Sequence, residues 1–189
     1  TITADTTDSA SDLAMTVTST AETSSTVALG TVTNTFGTIT GTFGGAGTTD
    51  STALTADDVT LTINSGGGTH AAITATDDVV MTVANTAATA VTSLDFGATT
   101  AGSADITLTG SSTFGLATIV ASAGTLTVDG SGASGAITVG NTANNMTGAS
   151  TLTGGSGDDT MTGGAGDDTI TGGAGDDTIT IANGDDTVY

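Results

Sequence analysis

The sequence predicts an all-β protein: a parallel β-solenoid over residues 1–144 that passes into a tighter β-roll over residues 145–189. Three observations carry that expectation. β-Branched residues alternate with small ones at period 2 in "VTLTI" (Val59–Ile63), "ITLTG" (Ile106–Gly110), "TLTVDG" (Thr125–Gly130) and "AITVG" (Ala136–Gly140), as half-buried strands require. No stretch carries a helical period. From Gly154 to Tyr189 the chain repeats one nine-residue unit four times.

Residues 1–144 hold about a dozen short strand candidates separated by Gly, Ser, Thr, Asn or Asp. "DLAMTV" (Asp12–Val17), "DVTLTI" (Asp58–Ile63) and "DITLTG" (Asp105–Gly110) start 46 and 47 residues apart (58 − 12 and 105 − 58). Strand candidates follow at matching offsets near Ile73 and Ile119, Met81 and Leu126, and Val91 and Ile137. Self-similarity on this scale is a mark of stacked coils. A β-sandwich followed by a roll is the alternative, because turn signals also recur at sandwich spacing. Aromatics for a thick sandwich core are scarce: Phe36, Phe43, Phe96, Phe114 and Tyr189 are all the chain has. A narrow solenoid core needs none.

Charge narrows the function. The 189 residues include 20 Asp and Glu but no Lys, Arg, Cys or Pro, for a formal charge of −20. Counter-charge must then come from solution or from bound cations, since like charges destabilise a compact state. Without basic residues the chain cannot neutralise phosphates, which excludes nucleic-acid binding and disfavours anionic membrane surfaces. No apolar run approaches the roughly 20 residues of a spanning helix. Disulfides are impossible, so another staple is expected. The chain begins at Thr1 with neither Met nor a visible secretory signal, as a processed or truncated piece would. Having no Lys or Arg, it also offers trypsin-like proteases nothing to cut, which suits a long-lived exterior protein.

The nine-residue units read GGSGDDTMT (154–162), GGAGDDTIT (163–171), GGAGDDTIT (172–180) and IANGDDTVY (181–189). A degenerate unit, NMTGASTLT (145–153), precedes them without either Asp. Each unit divides into a six-residue turn, in which Gly permits conformations closed to other residues, and a short strand. The strand turns Met161, Ile170, Ile179 or Val188 inward and its flanking residues outward. Two units make a coil of eighteen residues, so each turn stacks on the turn two units earlier, about 4.8 Å away. The sixth-place residues Asp159 and Asp177 then share one edge, and Asp168 and Asp186 the other. A dication between paired carboxylates would cancel their charge. Turn carbonyls would complete a shell of about six hard oxygens, which is calcium chemistry. Magnesium fits a flexible carbonyl-rich turn less well, and one His with no Cys disfavours transition metals. The fifth-place residues Asp158, Asp167, Asp176 and Asp185 are expected to face solvent.

These four units closely resemble the RTX repeat of secreted bacterial proteins, the Gly-Gly-x-Gly-x-Asp-x-apolar-x calcium β-roll. In that family one turn offers its second and fourth carbonyls and its Asp, and the other its first and third carbonyls and its Asp. Carried over, the resemblance implies one ion among Gly155, Gly157, Asp159, Gly172, Ala174 and Asp177. A second would use Gly164, Gly166, Asp168, Ile181, Asn183 and Asp186, with Ile181-Ala182 departing from Gly-Gly. A third would use Gly163, Ala165 and Asp168 against the degenerate turn around Gly148. Such proteins usually carry an export signal for type I secretion after the repeats, and none is visible before Tyr189.

Other features read as structural. His70 is expected to be a plain loop or strand residue, "SGGGT" (Ser65–Thr69) a flexible turn, and Asp57-Asp58 and Asp77-Asp78 solvated turn carboxylates rather than calcium ligands. The sequon Asn145-Met146-Thr147 is expected by chance in a Thr-rich chain. Neither H-E-x-x-H nor G-x-S-x-G occurs, so no enzyme is expected. The Thr/Ala/Gly/Ser-rich body joined to these repeats resembles RTX-type S-layer proteins. That resemblance implies a calcium-dependent structural protein of the bacterial cell surface, self-assembling into a homo-oligomeric lattice or filament. An adhesin segment with a cell-surface glycan as partner, or the non-catalytic part of a larger secreted enzyme, are the alternatives.

Overall fold

Period-2 strands of two to eight residues, broken by small polar residues, coil into a parallel β-solenoid rather than a sandwich. The computed structural model describes residues 13–19, 32–33, 37–45, 53–92, 94–96, 102–119, 123–140 and 146–189. Asp12, Phe36 and Asn145 lie outside these. Every strand pairing among the described residues is parallel, and each coil adds one strand per sheet.

One nine-stranded sheet runs the length of the molecule: Leu13–Ser19, Thr38–Gly45, Asp58–Ser65, Val79–Val83, Ser103–Leu108, Thr125–Asp129, Ser150–Thr153, Thr169–Thr171 and Thr187–Val188. A six-stranded sheet forms a second side, from Gly68–His70 through Thr89–Val91, Phe114–Leu116, Ile137–Val139 and Thr160–Thr162 to Thr178–Thr180. A four-stranded third side, Val32–Thr33, Leu54–Ala56, Ile73–Ala75 and Leu94–Asp95, extends only by the single bridge from Leu94 to Ile119. The three-sided coil thus narrows to a two-sided one. Register partners along the long sheet are Thr60, Val80, Asp105, Thr127, Thr151, Thr169 and Thr187, so successive coils take 20, 25, 22, 24, 18 and 18 residues (80 − 60, 105 − 80, and so on).

The loose 46-to-47-residue repetition is two coils, not one. Asp58 and Asp105 stand in the long sheet with one strand between them. Ile73 and Ile119 are register partners through Leu94. Met81 and Leu126 share the long sheet, and Val91 and Ile137 the six-stranded sheet, each pair two coils apart but two residues out of register.

The core is a set of columns. Leu61, Met81, Ile106, Val128, Leu152 and Ile170 stack inside the long sheet, and His70, Val91, Leu116, Val139 and Met161 inside the six-stranded one. His70 is a fully buried strand residue, its ring centroid 5.3 Å from that of Phe43 in an edge-on arrangement. "SGGGT" is an ordered corner rather than a flexible turn. Gly66, Gly67 and Gly68 are buried, and Gly68 N–H donates to Ala88 carbonyl at 3.0 Å. Asp57, Asp58 and Asp78 are half-buried rather than fully solvated. Thr76 Oγ1 donates to Asp57 at 2.6 Å, and Ser103 N–H and Oγ donate to Asp78 at 2.8 and 2.9 Å.

At one corner the backbone of successive coils closes to contact. A side chain on Gly124 would overlap the Gly102 carbonyl, one on Gly148 the Gly124 carbonyl, and one on Gly166 the Gly148 carbonyl. This glycine ladder continues from the solenoid into the roll without a break. At the opposite corner Asp129 accepts Ser131 Oγ–H at 2.7 Å and Ser131 N–H at 3.0 Å, bonds that hold its carboxyl below the ordinary 3.8. Its folded value being the lower one, the stability it lends is present above that ordinary range and fades as pH falls through the depressed value.

Leu116 is fully enclosed at the middle of its column. Leu116→Ala should lower the unfolding free energy by about 2–5 kcal/mol in urea titrations, the cost of a cavity in a core that cannot collapse around it.

Candidate metal centre

The inner columns change chemistry where the coil narrows. In the long sheet Val59, Val79, Ala104, Leu126 and Ser150 occupy one buried column by register. The next place in it belongs to Asp168, the residue before Thr169, which pairs with Thr151. In the six-stranded sheet Thr89, Phe114 and Ile137 are followed in the same way by Asp159. The sixth-place aspartates therefore stand where coils below them hold mostly apolar side chains. Asp159 and Asp168 are each 1% exposed. In a chain with no Lys or Arg nothing covalent to the protein can balance them. An ionised carboxylate so enclosed costs several kcal/mol unless it is paired and hydrogen-bonded.

Backbone amides supply part of the pairing, and they do so in one direction. Each sixth-place carboxylate reaches to the coil beneath it. Asp159 Oδ1 accepts Ile137 N–H at 2.7 Å, Asp168 Oδ1 accepts Ser150 N–H at 2.7 Å, Asp177 Oδ1 accepts Asp159 N–H at 2.9 Å and Asp186 Oδ1 accepts Asp168 N–H at 3.0 Å. The fifth-place aspartates are exposed, as expected, yet they are also bonded in the opposite sense. Asp158 Oδ1 accepts Asp176 N–H and Asp167 Oδ1 accepts Asp185 N–H, both at 2.9 Å. The two pairs of stacked turns in which both members carry Asp-Asp are thus clasped twice, once from above and once from below. That reciprocity accounts for Asp-Asp, where a lone sixth-place Asp would give half the clasp.

The turns stack as the eighteen-residue coil requires. Ala174 N–H donates to Gly155 carbonyl at 3.0 Å, and Gly175 (φ +120°) lies against the Gly157 carbonyl, which joins the turns of Gly155, Gly157 and Asp159 with Gly172, Ala174 and Asp177. On the other edge Gly184 (φ +131°) lies against the Gly166 carbonyl, joining Gly164, Gly166 and Asp168 with the turn of Ile181, Asn183 and Asp186. Beneath it Ala165 N–H donates to Met146 carbonyl at 2.7 Å and Gly166 overlies Gly148, so the degenerate turn stacks under Gly163, Ala165 and Asp168. First-place glycines leave room for the acid. A side chain on Gly163 would strike Asp168 Oδ2, and one on Gly172 would strike Asp177 Oδ2.

One turn escaped the sequence reading. Gly132-Ala133-Ser134-Gly135 lies under Gly154–Gly157, with Ser156 N–H donating to Ala133 carbonyl at 3.1 Å. Its G-x-x-G spacing was available as a signal. Ile137 in the sixth place and a 22-residue step, in place of eighteen, hid it.

The residues fit a hard dication. Asp168 Oδ2 is buried without a hydrogen-bond partner, a state that buried carboxylate oxygens rarely keep. Stacked turn carbonyls are close at hand. Among the described residues no three His, Cys, Asp or Glu side chains converge, so a cation here would rely chiefly on carbonyl oxygens. That donor set suits calcium. A groove of about 390 Å³ over the six-stranded sheet at Thr69, Ala90, Gly115 and Thr138 contains no titratable group and lies apart from these turns.

Residues 153–188 match the family model of the RTX calcium-binding nonapeptide repeat, in four copies. No curated protein and no solved structure matches the chain. The matched segment is a calcium-binding β-roll, and calcium is its cofactor.

If the clasp is reciprocal, Asp158→Ala should speed hydrogen exchange at the Asp176 amide and cost about 0.5–1.5 kcal/mol, the net worth of one hydrogen bond. An unchanged Asp176 exchange rate would show that the lower half of the clasp carries nothing.

Proposed function

We propose that the chain is a calcium-dependent, non-catalytic structural protein of the bacterial exterior, which assembles with copies of itself into an S-layer or filament. The observation that carries this reading is the pair of buried carboxylates, Asp159 and Asp168, in a chain that has no Lys or Arg to pair with them. Bound calcium supplies two positive charges and accepts a flexible shell of about six to eight oxygens. On one edge Gly155, Gly157, Asp159, Gly172, Ala174 and Asp177 would hold an ion, and on the other Gly164, Gly166, Asp168, Ile181, Asn183 and Asp186. In this reading the carboxylates draw adjacent turns together and the carbonyls fix their spacing. Ile179 and Val188 are less buried than Met161 and Ile170, so the last coil leans on its turns more than on its core.

A structural role suits the rest of the molecule. The outward ranks of the long sheet are mainly threonine, including Thr60, Thr62, Thr82, Thr107, Thr127, Thr151 and Thr153, with Asp105 and Asp129 as the charged members of those two ranks, a face that a neighbouring copy could approach. The acidic residues repel one another between copies as they do within one. Calcium would lower that repulsion, making assembly and folding respond to the same ion.

Two measurements check the reading. Circular dichroism during calcium titration should show the roll gaining order, with Asp177→Asn raising the midpoint roughly tenfold or more, because calcium sites tune affinity by ligand charge. Electron microscopy should show sheets or filaments that dissolve in EGTA. A calcium-loaded chain that stays monomeric at high concentration would sink the assembly proposal while leaving calcium-dependent folding standing.

A further inference from the structure

The residues that precede the fourth-place glycines of the four units are Ser156, Ala165, Ala174 and Asn183. Only the last sets an amide side chain before glycine, and Asn183-Gly184 is the one Asn-Gly pair in the chain. Third-place side chains point outward even under a further turn: Ser156 is exposed beneath the turn of Ala174, and Asn183 is exposed as well. The Ala165 and Ala174 amides are tied to the Met146 and Gly155 carbonyls at 2.7 and 3.0 Å. Among the described residues no hydrogen bond reaches the Asn183 side chain or the amides of Asn183 and Gly184. Gly184, at φ +131°, has no Cβ to keep its amide from the side chain before it. The other described asparagines are guarded. Asn64 lies inside the strand Asp58–Ser65, paired with Gly44, and precedes a serine. Asn85 is 2% exposed, and its Nδ2 donates to the Ala87 and Thr113 carbonyls, each at 2.9 Å.

We propose that Asn183 is a site of spontaneous deamidation, and that calcium bound on its edge of the roll suppresses the reaction. Asparagine is among the thermolabile residues of proteins. The Gly184 amide nitrogen, having lost its proton to solvent base, attacks Asn183 Cγ. A C–N bond forms, the Cγ–Nδ2 bond breaks, and the side-chain nitrogen takes a proton from solvent and leaves as ammonia. Water then opens the cyclic imide. Addition at Cγ breaks the new bond and leaves aspartate. Addition at the main-chain carbonyl leaves isoaspartate, in which the chain runs through Cβ and Cγ. Either product adds a carboxylate to a chain of 20 acids without Lys or Arg. Isoaspartate also lengthens the turn by a backbone carbon, so the turn no longer matches that of Gly164, Gly166 and Asp168 beneath it. Ring closure needs a local opening in which the Asn183 side chain and the Gly184 amide swing together. An ion held by the Ile181 and Asn183 carbonyls opposes that opening. The fourth turn thus records, irreversibly, the time the protein spends without calcium.

The suppression rests on the calcium reading above, whereas the modification itself does not. The whole chain is incubated in mildly alkaline buffer with calcium or with EGTA. Isoaspartate is read by isoaspartyl methyltransferase labelling and located by mass spectrometry of Asp-N peptides. Label should accumulate at position 183 in EGTA and do so roughly tenfold or more slowly in calcium, as closing a local opening requires. Asn183→Ala should remove it, and alanine already holds this place in the second and third units. The Thr187 and Tyr189 amides donate to the Asp168 and Ile170 carbonyls at 2.8 and 2.9 Å. In aged protein they should exchange hydrogen faster than in fresh protein at the same calcium concentration. No label at position 183 in EGTA, or label appearing first at Asn64 or Asn85, would overturn the site. Equal rates in calcium and EGTA, in protein whose circular dichroism responds to calcium, would overturn the suppression alone. Equal rates with no such response would overturn the parent reading and leave the site standing.

Discussion

Everything in the C-terminal coils depends on carboxylates placed inside the solenoid. A parallel coil has two inward positions per short strand, and upstream most are filled by Val, Leu, Ile, Met or Phe. From Asp159 onward one of the two is an aspartate. Apolar columns hold coils together without direction. Carboxylate columns hold them only if amides and a cation arrive at defined points, because the alternative is an enclosed and uncompensated charge. With no Lys or Arg to supply that charge, the roll's stability becomes a property of its solution.

This exchange also explains the narrowing. With three sides a coil takes 20 to 25 residues and encloses bulky side chains such as Phe43, Phe96 and Phe114. With two sides and eighteen residues it encloses one apolar residue per strand, and the turns come close enough to share oxygens. The glycine ladder through Gly102, Gly124, Gly148 and Gly166 keeps one corner equally tight on both sides of the change. The roll is therefore a continuation of the solenoid by other chemistry, joined to it by an unbroken long sheet.

Much of this was legible in the residues. Period-2 alternation pointed to strands in Val59–Ile63, Ile106–Gly110 and Thr125–Gly130, where the structure has Asp58–Ser65, Ser103–Leu108 and Thr125–Asp129, and the scarcity of aromatics favoured a thin core. The nine-residue spacing identified the stacking of Asp159 under Asp177 and of Asp168 under Asp186, since eighteen residues must close a coil. The stretch 145–153 was recognisable as a unit without acid. The turn Gly132–Gly135 was not, because its distance from the next turn on its edge is 22 residues and its sixth place is Ile137. The hydrogen-bonding role of Asp158 and Asp167 was equally hidden. A fifth-place side chain that points outward gives no periodic sign of bonding an amide eighteen residues away.

The sequence by itself determined the elements that depend on local backbone period: which residues form strands, which side chains turn inward, how long a repeat coil is, and that its acids must look outside the chain for charge. Only the tertiary structure decided which coil lies on which. Upstream steps of 20, 25, 22 and 24 residues follow no single period, and Thr-rich strands resemble one another too closely to choose a register. The physical reason is that register is set between coils, by corner glycines, side-chain columns and amide-to-carboxylate bonds that exist only after closure. It is that register which puts Ile137 under Asp159 and Ser150 under Asp168, and so makes two edges of identical repeats chemically unequal.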